Sequence, residues 1–316
     1  MSLNRFAVLG RVGMDLMADP PGTPIEEARA FTTAIGGSAG NIAAALARQG
    51  AATSLISRIS DDAVGRFCRA ELHRYGVDTT HLRAVGGEAR SSLALTETRH
   101  PTCQTVLYRN GAADFALTPD DIAPIDFSPC AALVVTGTAL ARDPSRSATF
   151  AALAQARAAG ALTVLDVDYR AYSWSSRDEA AEICLRAAQA CDITIGNDDE
   201  FALLAGSHAE GPALARHLAR NGALFTVYKR GAEGSTTHTP DFSFDTPIFP
   251  VAALKPTGAG DGFMGGLLAA LAQGLPLDRA VSRGAATAAL VVSGIGCAPA
   301  SPDRATLETF LRQHQA

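Results

Sequence analysis

Short apolar runs alternate with longer alanine-rich periodic segments along most of this chain, and that rhythm constrains the fold more than any single motif. "FAVLG" (6 to 10), "TSLIS" (53 to 57), "ALVVTG" (132 to 137), "LTVLDVD" (162 to 168), "ITIG" (193 to 196) and "FTVYKRG" (225 to 231) have the length and composition of strands. Segments 39 to 49, 61 to 75, 145 to 159, 178 to 190, 199 to 205, 211 to 221, 260 to 273 and 278 to 293 carry helical periodicity. Strands and helices in alternation build β-α-β units around a parallel sheet, so the expected class is α/β. The rhythm breaks over about 11–35 and 90–110, where "SSLALTET" and "QTVLYR" predict paired antiparallel strands. Both breaks are expected to form a small sheet outside the main layer. Beside the carboxyl ends of parallel strands, where open α/β sheets bind ligands, such a sheet would act as a lid. The expected organisation is therefore one domain over 1–316 with a β lid.

Composition narrows the partners. With 47% hydrophobic and 19% charged residues among 316, the chain has an ordinary soluble enzyme's make-up. A net charge of -5 gives no basic face for nucleic acid or anionic lipid, which points to a small molecule. The six cysteines form no Cys-x-x-Cys pair and no cluster with histidine, and they are expected to be reduced, mostly buried thiols of a cytoplasmic protein. No signal peptide is expected at "MSLNRFAVLGRVGMDL", and no segment reaches the ~18 apolar residues of a membrane span.

Four stretches carry candidate chemistry. "KPTGAGDGFMGG" (255 to 266) places Gly258, Ala259 and Gly260 at the start of a helix, with Asp261 beside them. It is not a Walker loop, because no lysine follows the glycines, and it is not a dinucleotide fingerprint, because the sixth position from Gly258 is Phe263. Unpaired amides and the helix dipole at that end favour an anion. Asp261 is either a helix cap or a catalytic carboxylate. "AIGGSAGNIAAALARQGA" sets Gly36 and Gly37 before another helix, with Asn41 as the polar interruption of an apolar face. That amide satisfies nearby backbone or binds a polyol hydroxyl. In "DVDYRAYSW", strand alternation would put Asp166 and Asp168 on one face, followed by Arg170, whose fork suits a carboxylate; an internal Asp–Arg salt bridge explains the same residues. In "GNDDEF", Asn197 and Glu200 have the spacing of a capping box and equally of oxygen ligands near a nucleotide's Mg2+.

"GGSAGNIAAALARQGA", "NDDE", "KRGAEG" and "PTGAGDGFMGG", in this order and approximate spacing, resemble the ribokinase-like carbohydrate kinases, also called the PfkB family. The resemblance spans nearly the whole chain and implies a three-layer α/β/α domain with a mostly parallel central sheet and a small β lid. It implies ATP as phosphoryl donor, Asp261 as the base for the sugar hydroxyl, and the amides of Gly258, Ala259 and Gly260 as the anion hole. Phosphoryl transfer needs mostly positioning and charge stabilisation, which suits these parts. The resemblance further assigns Lys229, Gly231 and Gly234 of "YKRGAEG", with Asn197, Thr257 and Gly260, to the nucleotide, and Asn197 and Glu200 to Mg2+ through water. Gly36, Gly37, Asn41 and Asp15 fall on the sugar side.

Within the family, "GRVGMDL", "DVDYRAYSW", "YRNGAADFALTPDDI", "YKRGAEG" and "LKPTGAGDGF" are most similar to the 5-dehydro-2-deoxygluconokinases of bacterial myo-inositol catabolism. The 2-keto-3-deoxygluconate kinases share a Tyr-Arg and an Asp-x-Asn-x-Arg element, and their two arginines hold a substrate carboxylate. The correspondence falls on Arg109 and Arg170, which favours a sugar acid over a neutral sugar. The alternatives are a 2-keto-3-deoxygluconate kinase, a fructokinase or other sugar kinase, and, from another class, a non-catalytic sugar-binding regulator. Where many relatives carry an acid that helps hold an activating monovalent cation, six residues before the Asp, this chain has Lys255. Its ammonium either substitutes for that ion or is a solvated loop lysine. A homodimer through the exposed lid is a further expectation.

Overall fold

The computed structural model describes residues 4–98, 103–255 and 257–314. The chain divides into two compact units, one of the described residues up to Gly10 with Leu117–Ile248, the other of Arg11–Ala116 with the chain from Phe249 onward.

In the first unit the predicted apolar runs become five adjacent parallel strands, ordered Arg5–Leu9, Ala132–Thr136, Leu162–Asp166, Ile193–Asn197 and Phe225–Lys229. One row across them reads Val8, Val134, Val164, Ile193, Phe225, so apolar side chains stack from strand to strand. Parallel strands covered on both faces read as continuous apolar runs, and Ala132–Thr136 is buried at every position. Helices Ser145–Ala158, Arg177–Ala190, Asp198–Ala205 and Gly211–Arg220 make the crossovers. Ala148, Ala152, Ala156, Ala180 and Ala187 are fully buried, small side chains that let these helices approach the sheet closely. Two antiparallel strands, Ser235–His238 and Ser243–Thr246, finish this edge. Their sequences, "STTH" and "SFDT", are too polar to signal a strand.

The second unit holds the parallel pair Ala52–Ser60 and Leu82–Val85 and a four-stranded sheet. The order in that sheet is Ala30–Gly36, Gly13–Asp19, Ser92–Thr96, Thr105–Tyr108. Its two outer pairings are antiparallel and the middle one is parallel. The predicted second small sheet is therefore present; residues 99–102, within the predicted 90–110 stretch, lie outside the described residues. Helices Ser38–Arg48 and Leu277–Val292 both pack on helix Ala259–Ala272. Gly265 makes the first of these packings possible, because a Cβ there would fall 2.4 Å from the Ala45 Cβ. A closing helix, Arg304–His314, packs Leu307 and Phe310 on Leu277–Val292 with Phe249.

All six cysteines are free; Cys68, Cys184, Cys191 and Cys297 are buried and Cys103 and Cys130 half-buried. Among the described residues no helix is long and apolar enough to cross a membrane.

Candidate active site

The second unit gathers one cluster around the start of helix Ala259–Ala272. Gly258 is its N-cap in the left-handed region, φ 85°, and no side chain caps the helix. A Cβ on Gly258 would lie 2.7 Å from the Cys297 sulfur, so the turn needs glycine for both conformation and space. The intrahelical ladder begins at Gly262, whose N–H donates to the Gly258 carbonyl at 3.0 Å. The amides of Gly258, Ala259 and Gly260 precede it, at the positive end of the dipole.

Asp261 stands on the first turn, and the close approach at Gly265 determines what it meets. Asn41 precedes Ala45 by one turn as Asp261 precedes Gly265, and helical neighbours four apart share a face. The packing therefore brings the two polar side chains together: Asn41 Nδ2 donates to Asp261 Oδ2 at 2.8 Å. Asn41 is 5% exposed, and its Oδ1 is buried with no hydrogen-bond partner. The N-cap itself, a glycine, has no side chain to cap the helix, and the Asp261 carboxylate is held by a side chain from a second helix.

Asp15 lies on strand Gly13–Asp19, and its carboxylate covers Gly36, where a Cβ would fall 1.8 Å from Oδ1. Gly37 then turns the chain into helix Ser38–Arg48 at φ 87°. Burial raises the Asp15 carboxyl above its ordinary range, against the opposing pull of Arg11 and Lys255. Lys255 is 4% exposed, which removes the reading of it as a solvated loop lysine. Its Nζ donates to the Thr257 carbonyl at 2.7 Å and to the Val291 carbonyl at 3.4 Å. Burial lowers its pKa, while Cys297, Asp261 and Asp15 favour the charged form. Cys297, 36 residues downstream of Asp261, was not among the expected site residues, yet its thiol lies 3.5 Å from the Gly258 carbonyl and 3.8 Å from Asp261 Oδ2. Nothing in its local sequence signals this position.

A second cluster belongs to the first unit. Asn197 caps helix Asp198–Ala205 in a reciprocal box: its Oδ1 accepts from the Glu200 N–H at 2.8 Å and the Glu200 Oε2 accepts from the Asn197 N–H at 2.7 Å. The Tyr169 N–H reaches Glu200 Oε1 at 3.3 Å. Burial raises the Glu200 pKa, with Lys229 the largest opposing influence. Lys229 ends its strand, Gly231 opens the turn Gly231–Glu233 at φ 54°, and Gly234 follows at φ 84°. The strand expected to run through Asp168 ends at Asp166, so simple alternation does not relate the two acids. Asp168 has φ 36°, accepts from Thr138 Oγ1 at 3.1 Å and pairs with Arg170 at 2.9 Å. Arg170 thus makes the internal salt bridge with a guanidinium side chain still 47% exposed. Arg109 is not part of this cluster: it belongs to the second unit, where it is enclosed at 4% exposure, pairs with Asp114 at 2.5 Å and lies over the Phe115 ring.

Among the described residues no three His, Cys, Asp or Glu side chains group to hold a metal. Asn197 Oδ1 and both Glu200 carboxylate oxygens accept backbone N–H bonds, so a Mg2+ that keeps its own waters would meet only their remaining lone pairs.

A family model of "pfkB family carbohydrate kinase" matches residues 3–304. The 5-dehydro-2-deoxygluconokinase of Geobacillus kaustophilus is 38% identical over 315 residues, covering 98% of this chain and 94% of the relative. Its namesake from Photobacterium profundum is 37% identical over 313 residues, with 98% and 95% covered. Among solved structures, a Vibrio cholerae fructokinase variant bound to fructose, ADP and potassium superposes with a TM-score of 0.87 at 28% identity, covering 98% of this chain and 99% of that one. The aminoimidazole riboside kinase of Salmonella enterica, complexed with aminoimidazole riboside and an ATP analog, has a TM-score of 0.84 at 27% identity over 98% of this chain and all of that one.

Proposed function

Because the chain belongs to the pfkB family of carbohydrate kinases and is an ATP-dependent sugar kinase, we propose that its acceptor is 5-dehydro-2-deoxy-D-gluconate, phosphorylated on the terminal hydroxyl. The printed names of relatives aligned over nearly their whole length support the substrate. The observation that carries the chemistry is the 2.8 Å bond from Asn41 to Asp261 at a helix start without a side-chain cap.

In this reading the acceptor oxygen attacks the γ-phosphorus of ATP, its proton passes to Asp261, and the bond from the γ-phosphorus to the bridging oxygen breaks to release ADP. The amides of Gly258, Ala259 and Gly260 offset the charge on the transferred group. Asn41 holds the Asp261 carboxylate through Nδ2, and its buried, unpartnered Oδ1 is an acceptor for a sugar hydroxyl. Asp15, over Gly36 and near Gly37, is assigned to another hydroxyl. Lys229, Gly231, Gly234 and Thr257 are assigned to the nucleotide. Asn197 and Glu200 would hold the hydrated Mg2+, which offsets phosphate charge when bound. For the substrate carboxylate Arg170 suits better than Arg109: the first is half-exposed and the second enclosed.

ATP consumption across 5-dehydro-2-deoxygluconate, 2-keto-3-deoxygluconate, fructose and ribose tests the proposal. Highest kcat/KM with the first is expected. Preference for fructose would refute the sugar-acid reading, and no turnover with any acceptor would favour the non-catalytic regulator. Asp261→Asn should lower kcat about 10²–10⁴-fold with ATP binding retained; near-normal turnover would remove Asp261 as base.

A further inference from the structure

Lys255 is a buried ammonium that, among the described residues, donates to two main-chain carbonyls. One is Thr257, in the turn that enters helix Ala259–Ala272. The other is Val291, in the last turn of helix Leu277–Val292. The last turn of a helix is the negative end of its dipole, where a cation is favoured, and the Val291 carbonyl there also accepts from the Gly294 N–H at 3.3 Å. The backbone is tied to the same place, since the Leu254 and Lys255 N–H groups donate to the Val292 carbonyl at 2.7 and 3.4 Å. One charge therefore joins the carboxyl end of helix Leu277–Val292 to the turn that enters helix Ala259–Ala272, in a setting that also holds Asp261 and Asp15.

We propose that the Lys255 ammonium is this protein's built-in monovalent cation: it fixes the Gly258–Gly260 turn and makes the site independent of added potassium. Carbonyl oxygens are also what proteins use to replace the hydration shell of potassium, and ammonium and potassium ions are nearly the same size. Removing the side chain while leaving the carbonyls should convert an internal cation into a site for an external one. Lys255 is a positioning residue here; it acts through the turn, not on the reacting atoms.

The test compares wild type, Lys255→Ala and Lys255→Met in buffers whose only monovalent cation is tetramethylammonium, then with added K+, NH4+ or Li+. Wild-type turnover and melting temperature should change less than about twofold and about 2 °C with K+. Lys255→Ala should lose at least tenfold in kcat and recover most of it with K+ or NH4+ but not Li+. Its melting temperature should rise with K+ in parallel. Lys255→Met fills the space without charge, so it should lose activity and not recover. Strong potassium activation of the wild type would overturn the proposal. So would full activity of both variants without potassium, or an Ala variant that no cation restores and K+ does not stabilise. The kinetic readout rests on the kinase reading above, whereas the melting readout needs no substrate and separates the two.

Discussion

Asn41→Ala separates orientation of the base from stability of the fold. The variant removes a 2.8 Å hydrogen bond to the Asp261 carboxylate. Hydrogen bonds to charged groups are worth about 1.5–3 kcal/mol. If the reaction draws on all of that orientation, kcat/KM falls roughly 10- to 150-fold, at tenfold per 1.36 kcal/mol. Stability should respond differently, because the same substitution deletes Asn41 Oδ1, a buried acceptor without a partner. Relieving an unsatisfied buried acceptor returns about 1–3 kcal/mol, which offsets the lost bond. The melting temperature should therefore stay within about 4 °C of wild type. Steady-state ADP release and a thermal melt on the same preparation check both halves. Activity within twofold of wild type would refute the positioning role, and an activity loss matched by a large fall in melting temperature would make Asn41 merely structural.

Gly258→Ala places a Cβ at φ 85° and 2.7 Å from the buried Cys297 sulfur; strain of about 1–3 kcal/mol is expected, with a loss of kcat larger than the loss of stability suggests, read by kinetics beside melting. Asp15 titrates above its ordinary pKa because of burial, so the folded state keeps its proton while the unfolded chain has released it. Stability then falls as pH rises from the ordinary carboxyl range through the raised value. Asp15→Asn has no such proton, so its melting temperature relative to wild type should climb as pH rises from the ordinary carboxyl range and level off above the raised pKa. A difference that stays flat with pH would contradict the assignment.

Several parts of this protein were readable in one dimension because their cause is local. Apolar runs of strand length and alanine-rich helical periods depend on neighbours in sequence, and the five parallel strands Arg5–Leu9 through Phe225–Lys229 appear where those patterns place them. The Asn197–Glu200 capping box is likewise set by a three-residue spacing. Polar strands such as Ser235–His238 escaped, because pairing with the strands on either side and not composition holds them in the sheet. The strand at Leu162–Asp166 ended early because Asp168 turns to φ 36° and takes its partners from Thr138 and Arg170.

The sequence by itself determined the α/β class, the glycine turn before Asp261 and the family to which these motifs belong. Only the tertiary structure decided what that turn is built against. Asn41 and Cys297 lie 220 and 36 residues from Asp261 and reach it because helices pack around Gly265 and Gly258, a relation that no local spacing encodes. Lys255 shows the division most clearly: a lysine after a loop suggests solvent, but folding encloses it and gives its ammonium one carbonyl from a helix end, Val291, and one from the turn before another helix, Thr257.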